Sequence, residues 1–330
     1  RMTTSTALQA LADLRIRVHE PMARHTNFRS GGPSRYYVEA RTPEEVTRAI
    51  AAARDAGVPW FALGGGSNTL VADAGFDGLV IQLANRGVSV DGTRVTAGAG
   101  AISAAVARAA GDAGLTGFEW AISLPGTIGG AVRGNAGCFG GEMKDVVQDV
   151  RVLQVTSDEV RVTSVDGADC GFRYRHSIFK EHPDWIILEV TLALRSGDPA
   201  ECRRRMDEYL MHRKSKQPLE RPSAGCLFTN VEVNDLTPTQ LEQLDRATDG
   251  AWRSVAHDGQ LPTGWLIERL GLKGHRVGNV MVSEKHGNFV INLGGGTAAE
   301  VAQLMEAVKG RARDAFGIAL RTEVQFLGLS

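Results

Sequence analysis

The chain has 330 residues, enough for about two domains of ~150 residues each, so it can bury large cores without a disulfide or metal staple. Hydrophobic residues make up 43% and charged residues 23%, an ordinary globular balance. Lys plus Arg number 37 against 38 Asp plus Glu, a formal net charge of −1, which argues against a partner held by bulk charge such as nucleic acid. No apolar run reaches the ~20 residues of a membrane span, and the polar opening carries no secretory pattern. Cys138, Cys170, Cys202 and Cys226 stand 32, 32 and 24 residues apart, far from metal-ligand spacing. Free thiols and a cytoplasmic location are expected, with no metal. The unusual figure is 39 glycines, about 12% of the chain, clustered at 64–66, 126–130, 134–141 and 294–296. Clustered glycine between apolar strands suggests backbone brought close to a ligand.

In chain order, residues 1–20 read as a short amphipathic helix through Leu8, Leu11, Leu14 and Val18, a packing arm ending near residue 23. A strand follows at Tyr36–Ala40. Thr42-Pro43-Glu44-Glu45 has the form of a capping box with Pro at the first helical position. The helix it opens buries Val46, Ala49, Ile50 and Ala53 and ends near Gly57. Val58–Leu63 completes a strand–helix–strand unit. Further strands are expected at Leu79–Leu83 and Arg94–Ala97, then a helix over Ile102–Ala113 closed by Gly114.

After Gly141 the pattern turns strand-rich, with Val150–Val155 and Ile186–Leu194. Ser196-Gly197-Asp198-Pro199 is the domain boundary on turn chemistry, and Asp198–Glu201 is a second box opening a helix to about Arg213. A third box, Thr297–Glu300, opens a helix burying Val301, Leu304, Met305 and Val308, and a final strand lies near Glu323–Leu327. The expectation is an α+β chain: an arm over 1–23, a first domain over 24–198 and a second over 199–330.

The chemistry concentrates in two glycine segments. Gly64-Gly65-Gly66-Ser67-Asn68 follows an apolar strand; three glycines let successive N–H groups line an anion, and Ser67 and Asn68 add side-chain donors. No helix follows as the Rossmann pattern requires, so that site is disfavoured, and a plain glycine-rich hairpin is the alternative. The second segment is Ser123-Leu124-Pro125-Gly126-Thr127-Ile128-Gly129-Gly130, then Gly134-Asn135-Ala136-Gly137. So many small residues suit a chain pressed along a flat cofactor and its diphosphate, and two such loops about 60 residues apart suit a dinucleotide.

These strings, with His25–Pro33, Tyr174-Arg175-His176-Ser177, Pro222–Phe228, Gly271–Gly274, Ser283–Phe289 and Thr322-Glu323-Val324, occur in an order that resembles the UDP-N-acetylenolpyruvoylglucosamine reductase family over about residues 24–327. The short segment from Arg175 to Pro222 resembles the subgroup without an extra tyrosine loop. The resemblance implies an FAD-binding domain of the vanillyl-alcohol-oxidase (PCMH) type and a smaller α+β substrate-binding domain. It implies that NADPH reduces the flavin, which then reduces UDP-N-acetylglucosamine enolpyruvate to UDP-N-acetylmuramate in peptidoglycan precursor synthesis. A monomer or weak oligomer without nucleic-acid or membrane partners is expected.

By the same resemblance, Gly64, Gly65, Gly66, Ser67, Asn68, Ser123, Pro125, Gly126, Thr127, Gly129, Gly130, Asn135, Ala136 and Gly137 bind the cofactor. Arg175 holds the substrate carboxylate, a planar match for guanidinium, and Glu323 assists enol stabilisation or protonation. Cys226 stands where the family carries a serine acid; thiols ordinarily keep their proton at neutral pH and can donate it. Tyr174, Lys216 and Asn230 are substrate-binding candidates, with Arg213 and Lys214 beside Lys216. Val231 replaces the usual proline, Gly287 the usual alanine, and the 231–262 stretch is longer than usual; His286 reads as structural. The other readings are a different FAD oxidoreductase on the same fold, a flavin or nucleotide-sugar binding protein without turnover, and purely architectural glycine loops.

Overall fold

A computed structural model describes residues 14–156 and 159–328. The chain forms two compact units that interleave in sequence: 1–20, 34–65 and 77–215 in one, 21–33, 66–76 and 216–330 in the other. Each has its own apolar core. Val38, Ile50, Ile81, Val106, Ile128, Val152 and Leu188 lie in the first, and Phe28, Leu70, Phe228, Leu266, Val301 and Leu304 in the second. The crossover to the second unit falls at 215–216, not at 198. Helix Pro199–Lys216 packs on the first core through Cys202 and Met206, with the Cys202 thiol donating to the Leu115 carbonyl at 3.5 Å. The turn at Ser196–Pro199 is thus internal to the first unit; turn chemistry marks a reversal, while a boundary depends on what the next helix buries.

The first unit holds a four-stranded sheet ordered Arg17–Pro21, Pro33–Ala40, Phe76–Leu83, Trp60–Leu63. The strand–helix–strand unit forms, with Phe76–Leu83 inserted between its two strands and parallel to Trp60–Leu63 in the register Trp60↔Leu79 to Leu63↔Gln82. Its helix, Pro43–Asp55, buries the expected face. Thr42 accepts from the Glu45 N–H at 3.2 Å, but the Glu45 carboxylate takes the Arg41 N–H, so the box is half closed. A five-stranded antiparallel sheet runs Val160–Asp166, Val147–Val155, Trp185–Ala193, Arg94–Gly98, Val88–Asp91. The opening of the chain differs from the sequence expectation. Leu8 and Leu11 lie outside the described residues, and Arg17–Pro21 is an edge strand with Val18 exposed, because edge pairing to Pro33–Ala40 outweighs the fortuitous helical spacing.

At the second expected box, Asp198 caps the Ala200 N–H at 3.3 Å, while Glu201 pairs with Arg204 and Arg205 at 2.8 and 2.9 Å. Hydrogen bonds from those two arginines hold the Glu201 carboxyl down at about 2.

The second unit is built on the antiparallel sheet Ser223–Cys226, Phe289–Asn292, Val280–Val282, Arg276–Val277. The terminal strand Gln325–Leu327 runs parallel to Thr69–Val71, so the chain end pairs with a segment more than two hundred residues earlier. Helix Ala298–Phe316 opens on a complete Thr297–Glu300 capping box, and its first N–H groups also reach a distant acceptor: Asp73 accepts from Ala298 and Ala299 at 2.8 and 3.0 Å. The long 231–262 stretch contains its own box, Thr237–Gln240, and helix Pro238–Thr248.

No helix among the described residues is long and apolar enough to cross a membrane. Among them, no group of His, Cys, Asp and Glu could hold a metal, and all four cysteines are free. Replacing Asp73 by Ala leaves two helix N–H groups without their acceptor and should cost about 1–2 kcal/mol in urea unfolding, with the helical circular dichroism of the native state unchanged.

Candidate active site

In the first unit, Trp60–Leu63 delivers the first glycine segment against the second. A Cβ on Gly64 would stand 2.7 Å from the Thr127 hydroxyl, and one on Gly65 would stand 2.7 Å from the Gly126 Cα. Gly126 has φ +94°, a conformation that favours glycine. Gln82, opposite Leu63 in the parallel register, donates its amide to the carbonyls of Leu63 and Gly64 and fixes where the loop begins. The second segment is laid along Ala99–Ser103: Ile128 N–H donates to Ala101 at 2.8 Å, Gly129 N–H to Ala99 at 3.0 Å, and Ser103 N–H to Gly126 at 3.1 Å. Gly129 is required here, since its Cβ would meet that of Ala99 at 2.8 Å. Gly130 and Pro125 lie exposed on the open side.

Beyond these loops, Ser123 is buried and donates to the Trp120 carbonyl at 3.4 Å, with the Cys138 thiol 3.9 Å away. Burial pushes the Cys138 thiol up. Ala136 is tied by its N–H to Ala131 and by its carbonyl to Met143. Gly137 backs onto the Gly141 carbonyl, which a Cβ would approach to 2.5 Å. Asn135, wholly buried at φ +40°, donates to the Glu142 carboxylate and the Arg173 carbonyl, both at 3.0 Å, and accepts from the Lys144 N–H at 2.9 Å. Its amide is committed within the protein, leaving only its backbone for a cofactor. Tyr174 and Arg175 form the tip of a tight turn, with the guanidinium 5.2 Å from the Tyr174 ring centre and donating to the Gly137 carbonyl at 3.2 Å.

In the second unit, Gly66 has φ +60°, and a Cβ there would fall 2.0 Å from the His25 carbonyl oxygen. The His25–Pro33 motif thus packs directly on the glycine run, with Asn27 N–H donating to the Gly66 carbonyl at 3.0 Å. Asn68 donates to the Glu323 carbonyl at 3.2 Å and accepts from Gln325 N–H at 3.0 Å. Cys226 ends a strand opposite Phe289, and the next residue, Leu227, accepts the Glu323 N–H at 2.8 Å. Ser67–Asn68, Cys226 and Glu323 are therefore gathered at one place. Asn230 continues the same segment and accepts from Thr263 N–H at 3.3 Å, while Lys216 is exposed at the end of its helix.

The sequence reading assigned no role to Gln82 or Asn288. Asn288 is buried and bonds both the N–H and the carbonyl of Phe228, at 3.1 and 2.7 Å, holding the segment after Cys226. The string Ser283–Phe289 carried that signal without a function. His286 is packed into the fold: its Nδ1 accepts from Asn288 N–H at 3.2 Å, and its ring lies where a Cβ on Gly264 would meet it at 2.9 Å.

The family models define the class, an FAD-binding domain followed by the C-terminal domain of a reductase. The FAD binding domain model matches residues 34–163, and the model of the UDP-N-acetylenolpyruvoylglucosamine reductase C-terminal domain matches 217–327. The chain is 37% identical to the UDP-N-acetylenolpyruvoylglucosamine reductase of Solibacter usitatus, over 97% of this chain and 99% of that protein. It is 38% identical to that of Heliobacterium modesticaldum, over 94% and 90%. It superposes on the crystal structure of UDP-N-acetylenolpyruvylglucosamine reductase from Thermus caldophilus with a TM-score of 0.73 and 33% identity, covering 94% of this chain and 99% of that one. The chain belongs to the UDP-N-acetylenolpyruvoylglucosamine reductase family. Its architecture is α+β, with an FAD-binding domain of the vanillyl-alcohol-oxidase (PCMH) type.

The residues present fit FAD. The hydroxyls of Thr127 and Ser103, both buried where the glycine segments meet, have no partner among the described residues. Glycine at 64 and 65 keeps side chains out of the same place. One guanidinium nitrogen of Arg133, also buried and without a partner among the described residues, adds a cation to the segment that suits a diphosphate-bearing ligand. Gly64→Ala should push Thr127 aside and weaken flavin retention at least roughly tenfold, ~1.4 kcal/mol, while unfolding shifts little; equilibrium dialysis with free FAD measures it.

Burial, reinforced by Lys273, holds the His286 imidazole below its usual range, so folding favours the neutral ring. Its stabilising share is intact above about pH 6.5 and is lost as pH falls through the lowered value. Between pH 7.5 and 5.5 the wild type should therefore lose more unfolding free energy than His286→Gln.

Proposed function

We propose that this protein reduces UDP-N-acetylglucosamine enolpyruvate to UDP-N-acetylmuramate with NADPH as the electron source, a step of peptidoglycan precursor synthesis. The observation that carries this reading is the full-length match at 37% identity, in a chain whose glycine segments close into a cradle for a dinucleotide. Bound FAD supplies hydride transfer from NADPH to the terminal vinyl carbon of the enolpyruvyl ether.

The residues of the chain supply the rest. Arg175 pairs with the substrate carboxylate, where negative charge grows as the double bond is reduced. Cys226 gives its thiol proton to the carbon next to that carboxylate, saturating the bond, and regains a proton from solvent. Glu323, bonded through its N–H to the residue after Cys226, stabilises the enol form at the same place. Tyr174 lies against Arg175, and Lys216 and Asn230 take the substrate diphosphate. The enzyme works in the cytoplasm on this small molecule, as a monomer or weak oligomer.

Purified protein should carry a yellow chromophore released by acid and should oxidise NADPH only when the enolpyruvyl nucleotide sugar is added. Colour without turnover would make it a binding protein, and oxygen-dependent turnover of an unrelated alcohol would make it an oxidase. Cys226→Ala should lower kcat by about 10²–10⁴-fold, the range for loss of a general acid, whereas Cys226→Ser should stay within about tenfold of wild type. Stopped-flow reduction by NADPH should be the same in all three. Full turnover in the alanine variant would remove Cys226 from the mechanism.

A further inference from the structure

The turn that presents Arg175 is closed by two backbone bonds, Arg173 N–H to the His176 carbonyl at 3.1 Å and His176 N–H to the Arg173 carbonyl at 3.0 Å. Arg175 sits in it at φ +53°, a left-handed conformation that is strained for a non-glycine residue and persists only where neighbours hold it. Three side chains do so. The wholly buried Ser177 hydroxyl donates to the Arg133 carbonyl at 2.7 Å. The Asn135 amide donates to the Arg173 carbonyl at 3.0 Å. Lys180 Nζ donates to the Arg175 carbonyl at 2.7 Å. The guanidinium itself leans on the Gly137 carbonyl at 3.2 Å. Three of these four bonds end on residues 133–137, the continuation of the second glycine segment.

We infer that Ser177, Asn135 and Lys180 are positioning residues that fix the Arg175 guanidinium to the flavin-binding segment, and that they act on substrate reduction through Arg175. The inference rests on the proposed role of Arg175 at the substrate carboxylate. It gives Asn135 a task other than the cofactor contact expected from sequence: its two donors and its acceptor are engaged inside the protein. It also explains why a serine two residues after the arginine belongs to the motif. A hydroxyl there reaches the Arg133 carbonyl and clamps the end of the turn, which no alanine could do. A carboxylate-binding group that drifts by about 1 Å loses on the order of 10²-fold in rate, so slack in this turn falls on the step that needs Arg175.

The test is Ser177→Ala in the holoenzyme, read in two ways. Hydrogen exchange at the His176 amide should speed up at least tenfold, with the strands Val147–Val155 and Trp185–Ala193 unchanged. Reoxidation of the NADPH-reduced holoenzyme by the enolpyruvyl nucleotide sugar should slow by about 10–100-fold. Flavin content, the KM for NADPH and the rate of reduction by NADPH should stay within twofold. A variant with unchanged exchange at His176, or with slowing confined to the NADPH half-reaction, would overturn the inference. Should Ser177→Ala fail to fold or to retain flavin, Lys180→Met loosens the same turn at the Arg175 carbonyl and must give the same pattern. If wild-type enzyme is not reoxidised by the enolpyruvyl compound at all, the proposed function fails, while the exchange measurement still decides whether the three side chains hold the turn.

Discussion

The contact between Gly64–Gly65 and Gly126–Thr127 is the constraint on which the first unit depends. At Gly65 the two backbones approach so closely that a Cβ would fall 2.7 Å from the Gly126 Cα, while a Cβ on Gly64 would press on the Thr127 hydroxyl. Such an approach excludes side chains and leaves the buried Thr127 hydroxyl without a partner among the described residues. It also dictates the surrounding architecture. The strand Trp60–Leu63 must end in register with Gln82, whose amide grips the carbonyls of Leu63 and Gly64. The second segment must be pinned flat along Ala99–Ser103, which its three backbone hydrogen bonds accomplish.

The second unit solves a different problem, that of bringing chemistry from distant parts of the chain to one place. Its terminal strand pairs with Thr69–Val71, and this parallel pairing draws Glu323 beside Asn68. The Glu323 N–H is then taken by Leu227, directly after Cys226. Asn288 completes the arrangement by satisfying both backbone groups of Phe228, so the segment carrying the thiol is held by a buried amide. The Cys226 thiol thus keeps a fixed place while the bonds around it are made by main chain.

Much of this was legible in the residues. The cap at Thr42, the capping box at Thr297, the buried faces behind them and the glycine clusters all follow local rules of period and backbone freedom, and those rules hold wherever neighbours do not interfere. The site motifs were legible as strings. The resemblance puts Asn135 among the cofactor contacts, and in the fold its amide turns inward to Glu142, Arg173 and Lys144. Gln82 was invisible, since nothing local marks a glutamine in a strand as the clamp of a loop nineteen residues earlier.

Local spacing and turn chemistry, written in the sequence, determined which segments become helix, strand or glycine loop, and the order of the motifs determined the family. Tertiary structure alone decided three matters: that Arg17–Pro21 pairs as an edge strand, that helix Pro199–Lys216 packs on the first core, and that the chain end lies beside residues 69–71. Each is settled by competition between distant partners for the same backbone groups or apolar surface. That competition involves energies summed over contacts that no window of consecutive residues contains.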